Sequence, residues 1–121
     1  MKIEKIKILN DFVERVQSTV MPVSLSFKIY ELNKELEEVI KKYTDVLNKI
    51  VDECLVKDEN NKIKMVEGKV EVIDGKLETW NEKTNELENT DFTIRTRIDI
   101  KQLGDLMVSP LELSALVEIR E

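Results

Sequence analysis

The chain has 121 residues, 41% of them hydrophobic and 36% charged, with a formal net charge of -6, no histidine and one cysteine. That length fits a single domain with one core, and the high charge with few glycines and prolines favours long solvated helices over a loop-rich fold. The acidic excess is spread along the chain with no basic block, which disfavours direct binding to nucleic acid or to an anionic membrane.

The first nine residues alternate charge with Ile3, Ile6 and Ile8, and Ile6-Lys7-Ile8 reads as a short half-buried strand. Asn10 or Asp11 can then cap a helix carrying Phe12, Val13, Val16 and Val20, which Pro22 would end. Residues 24–56 hold the strongest signal in the chain. Leu25, Ile29, Leu32, Leu36, Val39, Tyr43, Val46 and Ile50 follow an unbroken 4-3-4-3-4-3-4 spacing, a heptad seam, with a second row of Ile40, Leu47, Val51, Cys54 and Leu55 beside it. Glu37–Lys41, Glu38–Lys42 and Asp45–Lys49 place an acid four residues before a base, the favourable order on a helix.

After a polar exit loop, Lys57-Asp58-Glu59-Asn60-Asn61, two short runs at 62–66 and 69–73 joined by Glu67-Gly68 predict a β-hairpin, and Asp74-Gly75 closes it. Leu77, Trp80, Thr84 and Leu87 fall on one face of a polar helix, with Trp80 read as a core anchor. Residues 91–100 alternate Phe92, Ile94, Thr96, Ile98 and Ile100 against polar neighbours, the best strand pattern in the chain. Ser109-Pro110-Leu111-Glu112 is a capping-box sequence with proline at the first helical position, so a closing helix follows. The expected fold is α+β: one long amphipathic helix, shorter helices, and a small antiparallel sheet made of a β-hairpin plus one or two strands.

The residue inventory bounds the chemistry. Without histidine there is no Ser-His or Cys-His device, and with one cysteine there is neither an internal disulfide nor a zinc site within one chain. Asp58-Glu59-Asn60-Asn61 begins like a calcium loop but carries Lys62 at the fifth position, Ile63 where glycine is required and Lys69 in place of the closing glutamate. Gly68, Gly75 and Gly104 are isolated and cradle no phosphate. The carboxylates, Glu35-Glu37-Glu38 among them, read as solvated faces. Cys54 follows the seam and reads as a buried thiol. No apolar stretch approaches the ~20 residues of a membrane span and no signal-peptide pattern opens the chain, so the expected compartment is a reducing cytoplasm, without membrane, metal or cofactor.

Two features compete as contact surfaces. A 33-residue helix would extend ~50 Å, more than the ~35 Å of a compact domain this size, so the row Leu32, Leu36, Val39 and Tyr43 is either core or a seam for a partner. Arg95 and Arg97, on the polar face of the 91–100 segment, are either solvated or a contact for an anion or partner.

The order of elements resembles a family of small proteins of unknown function from phages and prophages of Gram-positive bacteria. The likeness runs from the long charged helix into Lys57-Asp58-Glu59-Asn60-Asn61 and the hairpin, then through Asn85-Glu86-Leu87 and a strand to Leu103 and Ser109-Pro110-Leu111-Glu112-Leu113-Ser114-Ala115-Leu116. Where that family opens its long helix with arginines, this chain has Leu25-Ser26-Phe27-Lys28. The resemblance implies a phage origin and no enzyme activity, and it assigns no functional residues. The resulting expectation is a non-enzymatic, phage-encoded protein-binding factor, acting as an inhibitor of a host or defence protein. The alternatives are a homo-oligomeric virion or accessory component and, more distantly, a small-molecule (nucleotide) binder.

Overall fold

The computed structural model describes all of residues 1–121. It is an α+β fold of four helices and one two-stranded antiparallel sheet: α1 (Ile3–Val16), α2 (Val23–Cys54), β1 (Met65–Val66), β2 (Lys69–Val70), α3 (Leu77–Glu88) and α4 (Pro110–Leu116). The residues gather into two compact units, Met1–Lys41 with Thr90–Glu121, and Lys42–Asn89. No helix is long and apolar enough to cross a membrane.

In the first unit, Ile3, Ile6, Leu9, Phe12, Val13 and Val16 make one buried face of α1. The strand expected at Ile6-Lys7-Ile8 is therefore part of a helix. Alternation over three residues fits either period, and the longer 3-3-3 recurrence from Ile3 to Phe12 decides it. Helix α1 stops at Val16, before Pro22, whose C=O instead accepts the Ser26 N–H at 2.9 Å at the start of α2. Leu25, Ile29, Leu32 and Leu36 of α2 are buried in the same unit, as are Leu103, Ala115, Leu116 and Ile119.

Helix α1 contacts α4, and the Lys5 ammonium donates to the Ser114 hydroxyl at 2.6 Å. Helix α4 begins as its sequence predicts, with reciprocal bonds between Ser109 and Glu112 and Pro110 at the first position. The Arg15 guanidinium grips both oxygens of Glu112 at 2.8–3.2 Å and reaches the Met107 C=O at 3.0 Å. Burial alone would raise the Glu112 carboxyl, but the Ser109 N–H and Arg15 outweigh it and hold it below its usual value.

Residues 91–98 form no regular strand, although Ile94, Thr96 and Ile98 alternate inward as the pattern predicts. Where their backbone groups go explains why. The Phe92 N–H donates to the Met1 C=O at 2.8 Å, and the Phe92 C=O accepts from the chain's first amine at 2.9 Å. Ile98 bonds Ile119 and Glu121 at 2.8 and 2.9 Å. Between these ends, side chains take the place of a neighbouring strand.

In the second unit, Tyr43, Ile50, Val51, Cys54 and Leu55 are buried, as is Leu87 of α3. The hairpin turns at Glu67 (φ 52°) and Gly68 (φ 77°), the paired positive φ values of a tight two-residue turn. Its open end is closed by the chain leaving α2: the Val56 N–H donates to the Glu71 C=O and the Val56 C=O accepts from Lys64, each at 2.9 Å. Trp80 is half-buried, less enclosed than a core anchor. Glu53 joins α2 to α3 through ion pairs with Lys83 at 2.5 Å and Lys76 at 3.7 Å.

Candidate protein-contact surface

Helix α2 has two apolar faces. At 100° per residue, Leu25, Ile29, Leu32 and Leu36 cluster on one side, while Val23, Phe27, Tyr30 and Lys34 cluster about 160° away. The first side is covered from within the chain; Leu32 and Leu36 are wholly buried and Tyr43 nearly so. These three are therefore interior side chains and offer no seam to a partner. Leu32 and Leu36 belong to the unit that also buries the apolar face of α1 and Leu103, Ala115, Leu116 and Ile119, and Tyr43 to the unit that buries Ile50, Val51, Cys54, Leu55 and Leu87. Val39 is half-buried, and Val46, further along the same row, is 44% exposed.

The second side faces water. Val23 is 72%, Phe27 63% and Tyr30 60% exposed, and Val20, in the connection before the helix, is 98% exposed. A shallow cavity of about 190 Å³ adjoins this face, lined by Ser26, Tyr30 and Asn33 from α2 and by Gln17, Thr19 and Met21 ahead of it. The Lys34 ammonium lies 5.2 Å from the centre of the Tyr30 ring. Lys28 pairs with Glu31 at 3.9 Å, so the charges bordering the stripe largely cancel. The sequence carries this face too, since 23, 27 and 30 repeat the 4-3 spacing. The longer row on the opposite side of the helix carries the stronger periodic signal.

Arg95 and Arg97 are both exposed, but their surroundings serve the fold. The Glu35 carboxylate accepts the backbone N–H groups of Arg95 and Thr96, each at 2.7 Å, together with the Thr96 hydroxyl. The Arg97 guanidinium donates to the C=O groups of Ile94 at 2.8 Å and Thr96 at 3.4 Å. Glu35, expected on a solvated face with Glu37 and Glu38, instead turns inward and fixes an extended segment that has no partner strand. Burial pushes its carboxyl upward; the Thr96 hydroxyl, the two N–H donors and the Arg95 charge outweigh that and hold it below its usual value. No sequence pattern announces this bond across sixty residues.

Two polar groups of the second unit are similarly occupied. Asp58, where the calcium-like loop begins, accepts the N–H groups of Asn60 at 2.8 Å and Lys62 at 3.0 Å. The Tyr43 hydroxyl donates to Glu88 at 3.0 Å; burial and that carboxylate both raise its pKa. Cys54 is buried as a free thiol. No group of three or more His, Cys, Asp or Glu side chains is placed to hold a metal ion. No protein-family model, curated protein or solved structure matches this chain.

Proposed function

We propose that the chain is a protein-binding factor without catalytic chemistry of its own, encoded by a phage and directed at a protein of the host, of the phage, or a second copy of itself. The observation that carries this reading is the outer face of α2, where Val23, Phe27 and Tyr30 stand in water at i, i+4 and i+7. Exposed single apolar residues are ordinary, whereas a contiguous patch marks an interaction site. Phe27 and Tyr30 each leave about 100–150 Å² uncovered, taking a full aromatic side chain as ~150–250 Å². With Val23 the uncovered apolar area approaches the ~300–600 Å² at which the largest patch on a monomer is often functional.

Aromatic residues are also enriched where binding energy concentrates, and i, i+4, i+7 is the anchor spacing by which a helix lies in an apolar groove. The resemblance to phage proteins supports the origin. Capture from a host lysate, comparing the wild-type chain with Phe27→Glu, tests the reading. A partner held by the wild type and lost in the variant, or self-association on dilution that the variant weakens, is expected; capture and association that are both unchanged by Phe27→Glu would overturn it.

A further inference from the structure

Beyond the protein-contact face, we propose that the first unit binds a small zwitterion, an α-amino acid with an aliphatic side chain, in a cavity that Arg97 and Glu118 both line. The cavity measures about 230 Å³. Its apolar surface comes from the buried Ile94 and Ile119 and from Met1 and Phe92, all of the first unit. Pockets for drug-sized ligands hold ~300–1,000 Å³, so this one suits a single amino acid better than a peptide or a nucleotide.

The two charges decide the class. No ion pair joins Arg97 to Glu118, and the Glu118 side chain has neither a hydrogen bond nor an ion pair within the chain. Arg97 is anchored: its Nη1 donates to the C=O of Ile94, itself a lining residue, at 2.8 Å and to that of Thr96 at 3.4 Å, which leaves Nε and Nη2 without partners. Those two nitrogens form the edge by which a guanidinium grips a carboxylate through parallel bonds, and anchoring Nη1 reduces the ordering that binding requires. Glu118 supplies the acceptor for an ammonium. A simple anion entering the cavity would meet the charge of Glu118, and a simple cation that of Arg97. A molecule that carries both charges answers each with its opposite, while its aliphatic side chain lies on the apolar surface. Because Arg97 and Glu118 are also open to water, each ion pair contributes little, and the dissociation constant is about 1 mM or weaker.

The test is a titration of the whole chain with L-leucine up to about 50 mM, read from the backbone amide resonances. Expected are saturable shifts at Thr93, Ile94, Arg97 and Ile119. Leucinamide, which keeps only the ammonium, and N-acetylleucine, which keeps only the carboxylate, should each bind at least about fivefold more weakly. Glu118→Gln removes a charge that makes no contact in the fold, so at unchanged melting temperature it should weaken leucine binding several-fold and bring N-acetylleucine level with leucine. Arg97→Gln should do the reverse and bring leucinamide level. Phe27→Glu, outside the cavity, should leave leucine binding as it is.

An absence of shifts at the highest leucine concentration, shifts confined to other residues, either single-charge analogue binding the wild type as tightly as leucine, or leucine binding indifferent to Glu118→Gln would each overturn the site. Should Arg97→Gln unfold through loss of its bonds to Ile94 and Thr96, the analogue series and Glu118→Gln decide the outcome by themselves.

Discussion

The inner and outer rows of α2 begin with the same spacing and end in opposite surroundings. Leu25, Ile29, Leu32 and Leu36 are enclosed by their own unit, whereas Val23, Phe27 and Tyr30, about 160° around the same turns, lie open. Periodicity thus finds apolar faces but does not say what covers them. Coverage depends on the other elements of the unit, and these converge on one side only.

The sharpest way to break this contrast is to place a charge on each row. Leu36→Glu would strand a carboxylate in an apolar interior, where lost packing and desolvation together should exceed ~3 kcal/mol and unfold much of the population. Urea denaturation followed by circular dichroism measures it, and a variant as stable as the wild type would place Leu36 outside the core.

The next largest effect concerns Glu35, which sits on the flank between the two rows. Glu35→Ala leaves the Arg95 and Thr96 N–H groups without their acceptor and should cost ~1.5–3 kcal/mol. Because the folded-state pKa of Glu35 lies below its unfolded value, its contribution is present above the unfolded carboxylate pKa of ~4.3 and is lost as pH falls through the lower folded value. Acid titration of stability should therefore be flatter in Glu35→Gln than in the wild type over that range. Parallel acid limbs would remove the claim.

Much of this was legible beforehand, and the exceptions share one cause. The α2 row, the Glu67-Gly68 hairpin and the Ser109–Glu112 cap follow from residues near one another in sequence, and each appears where its pattern predicts. The alternation of Ile94, Thr96 and Ile98 likewise reported their burial. The missing strand did not show, because what holds that segment is a glutamate sixty residues away and the two ends of the chain. The exposed apolar face was partly legible too. Val23, Phe27 and Tyr30 were in plain view, but only the filled opposite face shows that they are left over. Arg95 and Arg97 stood out as charges on a strand-like pattern, yet Nη1 of the Arg97 guanidinium is spent on carbonyls of its own segment.

Smaller substitutions sharpen the contrast within the inner row itself. Val46 continues the seam spacing but is 44% exposed, so Val46→Ala should cost no more than ~1 kcal/mol, against the ~2–5 kcal/mol expected for Leu36→Ala. Equal losses at both positions would mean that the seam is covered evenly. Smallest of all, Phe27→Glu should change the folding stability of the dilute chain by no more than ~0.5 kcal/mol, since no buried contact is lost. A larger loss in thermal or urea unfolding would assign Phe27 to the core.

One labelling measurement compares both faces of α2 within a single molecule. Cys54 shares the inner face and is fully buried, while residue 27 lies on the outer one. In the Phe27→Cys variant, alkylation of the native protein at high dilution, read by mass spectrometry, should modify position 27 at nearly the rate of a free thiol. Cys54 should react only as fast as the chain unfolds. Rapid modification of Cys54 under native conditions, or protection of position 27 in the dilute monomer, would contradict the assignment of one face of this helix to the core and the other to recognition.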